Sequence, residues 1–167
     1  LPDGSNNVSS DWIVVGAGSV KNALMFDDGT TAYVKCDDIT ETMNIEFANP
    51  SVAEGDIDTI DSVRFLSSGK ANHRSSPTRI SVAYYDPVGN PTEYANYLSH
   101  RTNFTTINGT ARPYSDGSST AWTYANLEDL EMRCEMASVI EVWFSYLAME
   151  VTYTPAVTDN ATFFGAN

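Results

Sequence analysis

The sequence predicts an all-β domain, an antiparallel two-sheet jelly-roll-like sandwich with one or two short helical turns and extended terminal arms. Three observations carry this. Apolar residues recur with a period of two in most segments. The runs are short and separated by clusters of Gly, Pro, Asn, Asp and Ser. No long stretch carries the 3.6-residue period of an amphipathic helix. About nine short strands in 167 residues fit a sandwich better than any layered α/β plan.

The elements follow in order. Trp12 to Val15 is a short apolar run that ends at Gly16. Val20 to Phe26 (VKNALMF) is expected to form a helical turn or two, and Thr31 to Cys36 alternates around Tyr33 and Val34. Met43, Ile45 and Phe47 share one face of a strand. Further strands are expected over Ile57 to Leu66, Arg79 to Tyr85, Thr92 to Leu98, Thr102 to Ile107 and Leu130 to Met136. Leu127 and Leu130 lie three apart and would seat one helical turn, within Tyr124 to Leu130, on the core. The last strand, Val139 to Tyr153, is long, and its apolar residues crowd both faces, so it is expected to be buried on two sides or to lie against another subunit. The expected division is an N-terminal arm over residues 1–11, a sandwich over 12–155 and a C-terminal arm over 156–167.

Composition narrows the function classes. Nine Lys and Arg stand against 22 Asp and Glu, a net charge of −13. Such a chain is repelled by nucleic acid and anionic lipid unless it carries a basic patch, and the sequence shows none, so neither is an expected partner. Only Lys21, Lys35 and Lys70 are lysines, a scarcity that suits a saline extracellular setting or reflects an acidic surface alone. No apolar run approaches the ~20 residues of a spanning helix, and no basic-then-apolar leader precedes the first strand. A start at Leu1 is expected of a processed or truncated chain. Cys36 and Cys134 are either bridged, which would contribute ~4–5 kcal/mol in the chain-entropy model, or two buried free thiols.

Candidate chemistry is sparse. Ile13 to Val20 (IVVGAGSV) has the look of a strand and glycine turn that cradle a pyrophosphate, but Lys21 occupies the third glycine position and no βαβ alternation follows. Asp27-Asp28, Asp37-Asp38 and the set Asp56, Asp58 and Asp61 could supply oxygen ligands, yet none has the twelve-residue calcium spacing. Calcium is therefore possible by composition, but no cofactor or metal is expected. His73 and His100 sit in polar turns, and no GxSxG elbow exists, so catalysis is not expected. Tyr84, Tyr85, Tyr94 and Tyr97 cluster among Asn and Ser, where rings could stack on sugars and amides bond hydroxyls. Phe163 and Phe164 put apolar surface on the C-terminal segment, which reads as a docking arm or as a frayed tail.

Several segments together carry a resemblance. Asp27 to Val34 (DDGTTAYV) turns into a strand; a second strand ends at Phe47-Ala48-Asn49-Pro50; Ile57 to Phe65 follows; Trp122-Thr123 leads through Leu127 and Leu130; and Glu150 to Pro155 (EVTYTP) closes the domain. In this order, over roughly residues 12 to 155, the chain resembles jelly-roll head-decoration (cement) and related virion surface proteins of tailed viruses. The resemblance implies a non-catalytic capsid decoration protein on the outer head surface of an extracellular particle. Its partners would be the major capsid protein and copies of itself, often as a trimer. The contacts expected for it are Phe163 and Phe164, with Trp143 or Phe144 on whichever face of the last strand is not core. Two alternatives are a carbohydrate-binding adhesin module on a tail fibre, using Tyr84 to Tyr97, and an extracellular filament subunit assembled by strand exchange.

Overall fold

A computed structural model of the chain describes residues 2–8, 12–25, 31–36, 42–71, 79–85, 91–94, 103–115, 119–135 and 141–157; for 2–8, 42, 71, 79–85, 91–94, 107 and 135 it describes the backbone alone. Among the described residues, ten strands form two five-stranded sheets. The first holds β1 (Pro2–Val8), β4 (Thr42–Phe47), β9 (Glu131–Glu135), β6 (Arg79–Tyr85) and β7 (Pro91–Tyr94) in the order β1-β4-β9-β6-β7. The second holds β2 (Ile13–Val15), β3 (Tyr33–Cys36), β10 (Val142–Pro155), β5 (Ile57–Ala71) and β8 (Thr105–Asn108) in the order β2-β3-β10-β5-β8. Every ladder is antiparallel. From β3 onward the chain alternates between sheets at almost every connection, β6 to β7 being the hairpin exception. This is the sandwich expected from the period-two pattern.

The alternation explains the core. Met43, Ile45 and Phe47 of β4 and Met132 and Cys134 of β9 are all buried and face inward from the first sheet. Val34 and Cys36 of β3, Val63 and Phe65 of β5, and Val142, Phe144 and Leu147 of β10 meet them from the second. Phe47 and Phe65 touch across the two layers, with ring centroids 6.0 Å apart. Burying each such side chain stabilises the fold by ~1.5–3 kcal/mol before entropy is counted. Trp12 stacks on Phe144 at 6.1 Å and closes one end of the core.

Two short helices plug the sandwich. In α1 (Val20–Leu24) the Ser19 hydroxyl accepts the Asn22 N–H, and Ala23 and Leu24 are buried. In α2 (Tyr124–Glu128) Thr123 and Asn126 form a reciprocal capping box, and Leu127 is fully buried. A 3-10 turn, Glu54–Asp56, leads into β5.

Three features singled out in the sequence take a definite form. Within the expected N-terminal arm, Pro2–Val8 forms an edge strand paired with β4, from Val8 opposite Met43 to Pro2 opposite Phe47. The IVVGAGSV segment is no dinucleotide turn. It leads through α1 into β3, which pairs antiparallel with β2, whereas a pyrophosphate-binding βαβ unit needs parallel strands. Gly16 is required for a different reason: its φ is +72°, and a Cβ there would collide with the Thr31 carbonyl oxygen. The cysteines are two buried thiols not joined by a disulfide, Cys36 in the second sheet and Cys134 in the first. Burial pushes the Cys134 thiol up, so it stays protonated. Beyond the sandwich, the Ala156 N–H donates to the Asp56 carbonyl at 2.9 Å, and residues 158–167 lie outside the described residues.

Candidate functional site

The β5–β10 ladder is the spine of the second sheet. It runs from Val142 opposite Ala71 to Pro155 opposite Ile57. Because Val142 and Phe144 point into the core, Trp143 between them points outward. Phe144 is therefore a core residue with no accessible surface, and of the two contact candidates on this strand Trp143 is the one on the face that is not core. Trp143 is half-buried on the outer face.

Register decides what surrounds it. Trp143 lies opposite Lys35 on β3 and opposite Lys70 on β5, so two of the chain's three lysines flank one indole. Ile13, opposite Lys35 on β2, extends the same cross-strand row and is 47% exposed. Adjacent strands are ~4.8 Å apart, which brings the stems of these side chains into contact. The Lys70 ammonium sits 4.3 Å from the Trp143 ring centroid and 5.1 Å from that of Phe104, just before β8. Phe104 in turn meets Tyr33 of β3, with centroids 6.5 Å apart and planes tilted by 53°. Lys35 is held by Glu141 at 3.1 Å. The outcome is a half-buried patch of three rings, two ammonium groups and one carboxylate on the outer sheet face.

The close approach beneath this patch depends on Gly69. It lies opposite Phe144, and a Cβ there would collide with the Trp143 carbonyl oxygen and press on the Phe144 ring. Next to it the register shifts between Phe144 and Tyr146, a bulge at Ser145. The Ser145 hydroxyl is fully buried and has no hydrogen-bond partner among the described residues.

A separate cleft of about 310 Å³ opens at the other end of β5, between Glu54, Asp58, Thr59, Trp122, Thr123 and Tyr124. Its polar groups largely serve the fold. The Trp122 indole donates to the Arg112 carbonyl, the Tyr124 hydroxyl to the Val52 carbonyl, and the Thr59 hydroxyl to Asp61. Thr123 is committed to capping α2.

The other residues singled out in the sequence fall as follows. Tyr84 and Tyr85 are on β6 and Tyr94 is on β7, paired as a hairpin at the edge of the first sheet. Their side chains, all of Tyr97, and Phe163 and Phe164 lie outside the described residues, as do His73, His100, Asp27, Asp28, Asp37 and Asp38. Asp56 and Asp58 lie at the entry to β5, and Asp61 accepts from Thr59 and Thr154. Among the described residues no three His, Cys, Asp or Glu side chains converge on a metal-sized site. Tyr33, Phe104, Lys70, Lys35 and Glu141 were not expected as site residues. The available signal was the scarcity of lysine, but which lysines meet a tryptophan is set by strand register, which local pattern does not specify.

No protein-family model matches the chain, and no curated protein matches it. Among solved structures it is similar to a "Family 16 Carbohydrate Binding Module-2", with 14% identity over 84% of this chain and 85% of that one and a TM-score of 0.46. It is also similar to a structure described as "CBM4 structure and function", with 10% identity, 85% and 95% coverage and a TM-score of 0.38. A third is the N-terminal cellulose-binding domain of Cellulomonas fimi beta-1,4-glucanase C, with 12% identity, 91% and 97% coverage and a TM-score of 0.40.

Proposed function

We propose that this chain is a non-catalytic carbohydrate-binding module whose ligand lies across Trp143 on the outer face of the second sheet. The observation that carries the reading is the cluster of Tyr33, Phe104 and Trp143, three half-buried rings on β3, just before β8 and on β10 of one sheet. Aromatic faces pack against the apolar C–H faces of pyranose rings, and flanking lysines and carboxylates hydrogen-bond the hydroxyls. A site built on strands costs little ordering on binding. The reading keeps the sugar-binding alternative expected from the sequence and moves it from the β6–β7 hairpin to β3, β5 and β10.

Affinity electrophoresis of the whole chain through gels containing soluble polysaccharides tests this. Retention by at least one polysaccharide is expected, with at least tenfold weaker binding for Trp143→Ala and an unchanged circular dichroism spectrum. Equal retention of Trp143→Ala would move the site elsewhere. No retention by any polysaccharide would remove the module reading.

A further inference from the structure

We infer that the glycan recognised at Trp143 is anionic, a polysaccharide carrying carboxylate or sulfate groups. This rests on the module reading above and adds the ligand's charge class to it. The chain has a net charge of −13 and three lysines, yet two of those lysines stand on either side of one tryptophan on one face. A neutral sugar would be served by the amides and hydroxyls in which this chain is rich, so the placement of two of its few cations calls for a ligand that answers charge.

Lys70 is the deciding group. Among the described residues no carboxylate lies within salt-bridge reach of it; its ammonium is held instead between the Trp143 and Phe104 rings. A cation–π contact positions an ammonium without neutralising it, so its full charge stays available to an incoming anion. Lys35, one strand over, is already matched by Glu141 and adds position more than charge. A sugar stacked on this patch would therefore present a ring substituent to a positioned cation that no described carboxylate neutralises. A charge-assisted hydrogen bond there is about twice as strong as a neutral one. The acidic remainder of the surface opposes a polyanion at long range, but at physiological salt that repulsion is screened beyond ~8 Å, while the contact at Lys70 is not. The same balance restrains non-specific sticking to polyanions that lack a stacking ring.

The test runs the whole chain through gels containing alginate or polygalacturonate (carboxylate), a carrageenan (sulfate), and xylan or galactomannan (neutral), each at low and high salt. Retention by at least one anionic polysaccharide about tenfold tighter than by the neutral ones is expected, weakening as salt rises. The carboxylate and sulfate gels separate the two sources of charge. Lys70→Met should bring the anionic retention down to the neutral level, and Lys70→Arg should keep it. Glu141→Gln, which removes the negative charge held against Lys35, should tighten anionic retention several-fold. Retention of neutral polysaccharides equal to anionic ones, or an anionic preference that survives Lys70→Met, would overturn the inference and leave the module reading standing. No retention on any gel would overturn both.

Discussion

The outer faces of the two sheets are built by the same pleat from the same acidic chain, and they treat charge in opposite ways. On the second sheet the β5–β10 ladder sets Lys70 against Trp143 and Arg64 against Glu150, whose carboxylate receives the guanidinium at two points, 2.7 and 2.8 Å. That contact holds the Arg64 guanidinium further above its usual range. On the first sheet the β4–β9 ladder sets Glu46 directly opposite Glu131, like against like. Burial and the neighbouring Glu46 push the Glu131 carboxyl above its usual range. Among the described strand residues, Lys35, Arg64 and Lys70 lie on the second sheet and Arg79 and Arg133 on the first, so both strand lysines share the second sheet. Both strand lysines lie beside one indole on one face, while the other face sets two carboxylates against each other, a contrast that the proposed sugar site would account for.

That contrast can be broken from the structural side first. Gly69→Ala should destabilise the fold by ~2–3 kcal/mol in a urea titration, because the added methyl meets backbone across the ladder rather than a yielding side chain. The cost should come with loss of polysaccharide retention, since the same ladder sets Trp143 and Lys70 in register. Ser145→Ala should act in the other direction, raising stability by ~1 kcal/mol, because it deletes a buried hydroxyl without a partner. An unchanged or lowered denaturation midpoint would mean that the hydroxyl is bonded after all.

On the first sheet, Glu131→Gln should stabilise the protein at pH 7 by ~0.5 kcal/mol, the scale of a like-charge cross-strand pair. The sign follows from linkage. A carboxyl whose folded value is raised disfavours the folded state once it ionises, so the gain from Gln is present above the folded value. It fades as pH falls, and it vanishes below the unfolded value of 4.5. Thermal melts of both proteins across that window check it. The smallest effect is expected for Glu150→Gln, which breaks an exposed pair and should leave the denaturation midpoint within error. A large loss there would show that the second sheet's charges are structural, and the contrast between faces would lose its functional meaning.

The sandwich was legible because its core strands alternate. Met43-Asn44-Ile45-Glu46-Phe47 shows which side faces inward, and Leu127 and Leu130 mark the helical turn that seats them. β1 was not legible. Pro2 to Val8 offers one strong apolar side chain, and its place at a sheet edge is set by backbone pairing with β4. The period of two also said that Trp143 and Phe144 face opposite ways without saying which way is in. Their absolute orientation came from the strands on either side, β3 and β5, each matching Phe144 to its own inward residue. For the candidate site the missing information is of the same kind: Lys35, Lys70, Phe104 and Trp143 are scattered along the chain and become neighbours only through register.

The unequal exposure of the three tryptophans has a spectroscopic consequence. Trp12 and Trp122 are at most 7% exposed, whereas Trp143 shares its ring face with an ammonium group and lies half open to solvent. Movement of Lys70 or arrival of a sugar would change the electric field and the water at that one indole, leaving the other two as internal references. The intrinsic fluorescence of the unlabelled protein is thus a built-in reporter of occupancy at this face: its emission should shift on titration with a ligand that binds there, and Trp143→Phe should abolish that shift while leaving any signal from Trp122 in its cleft.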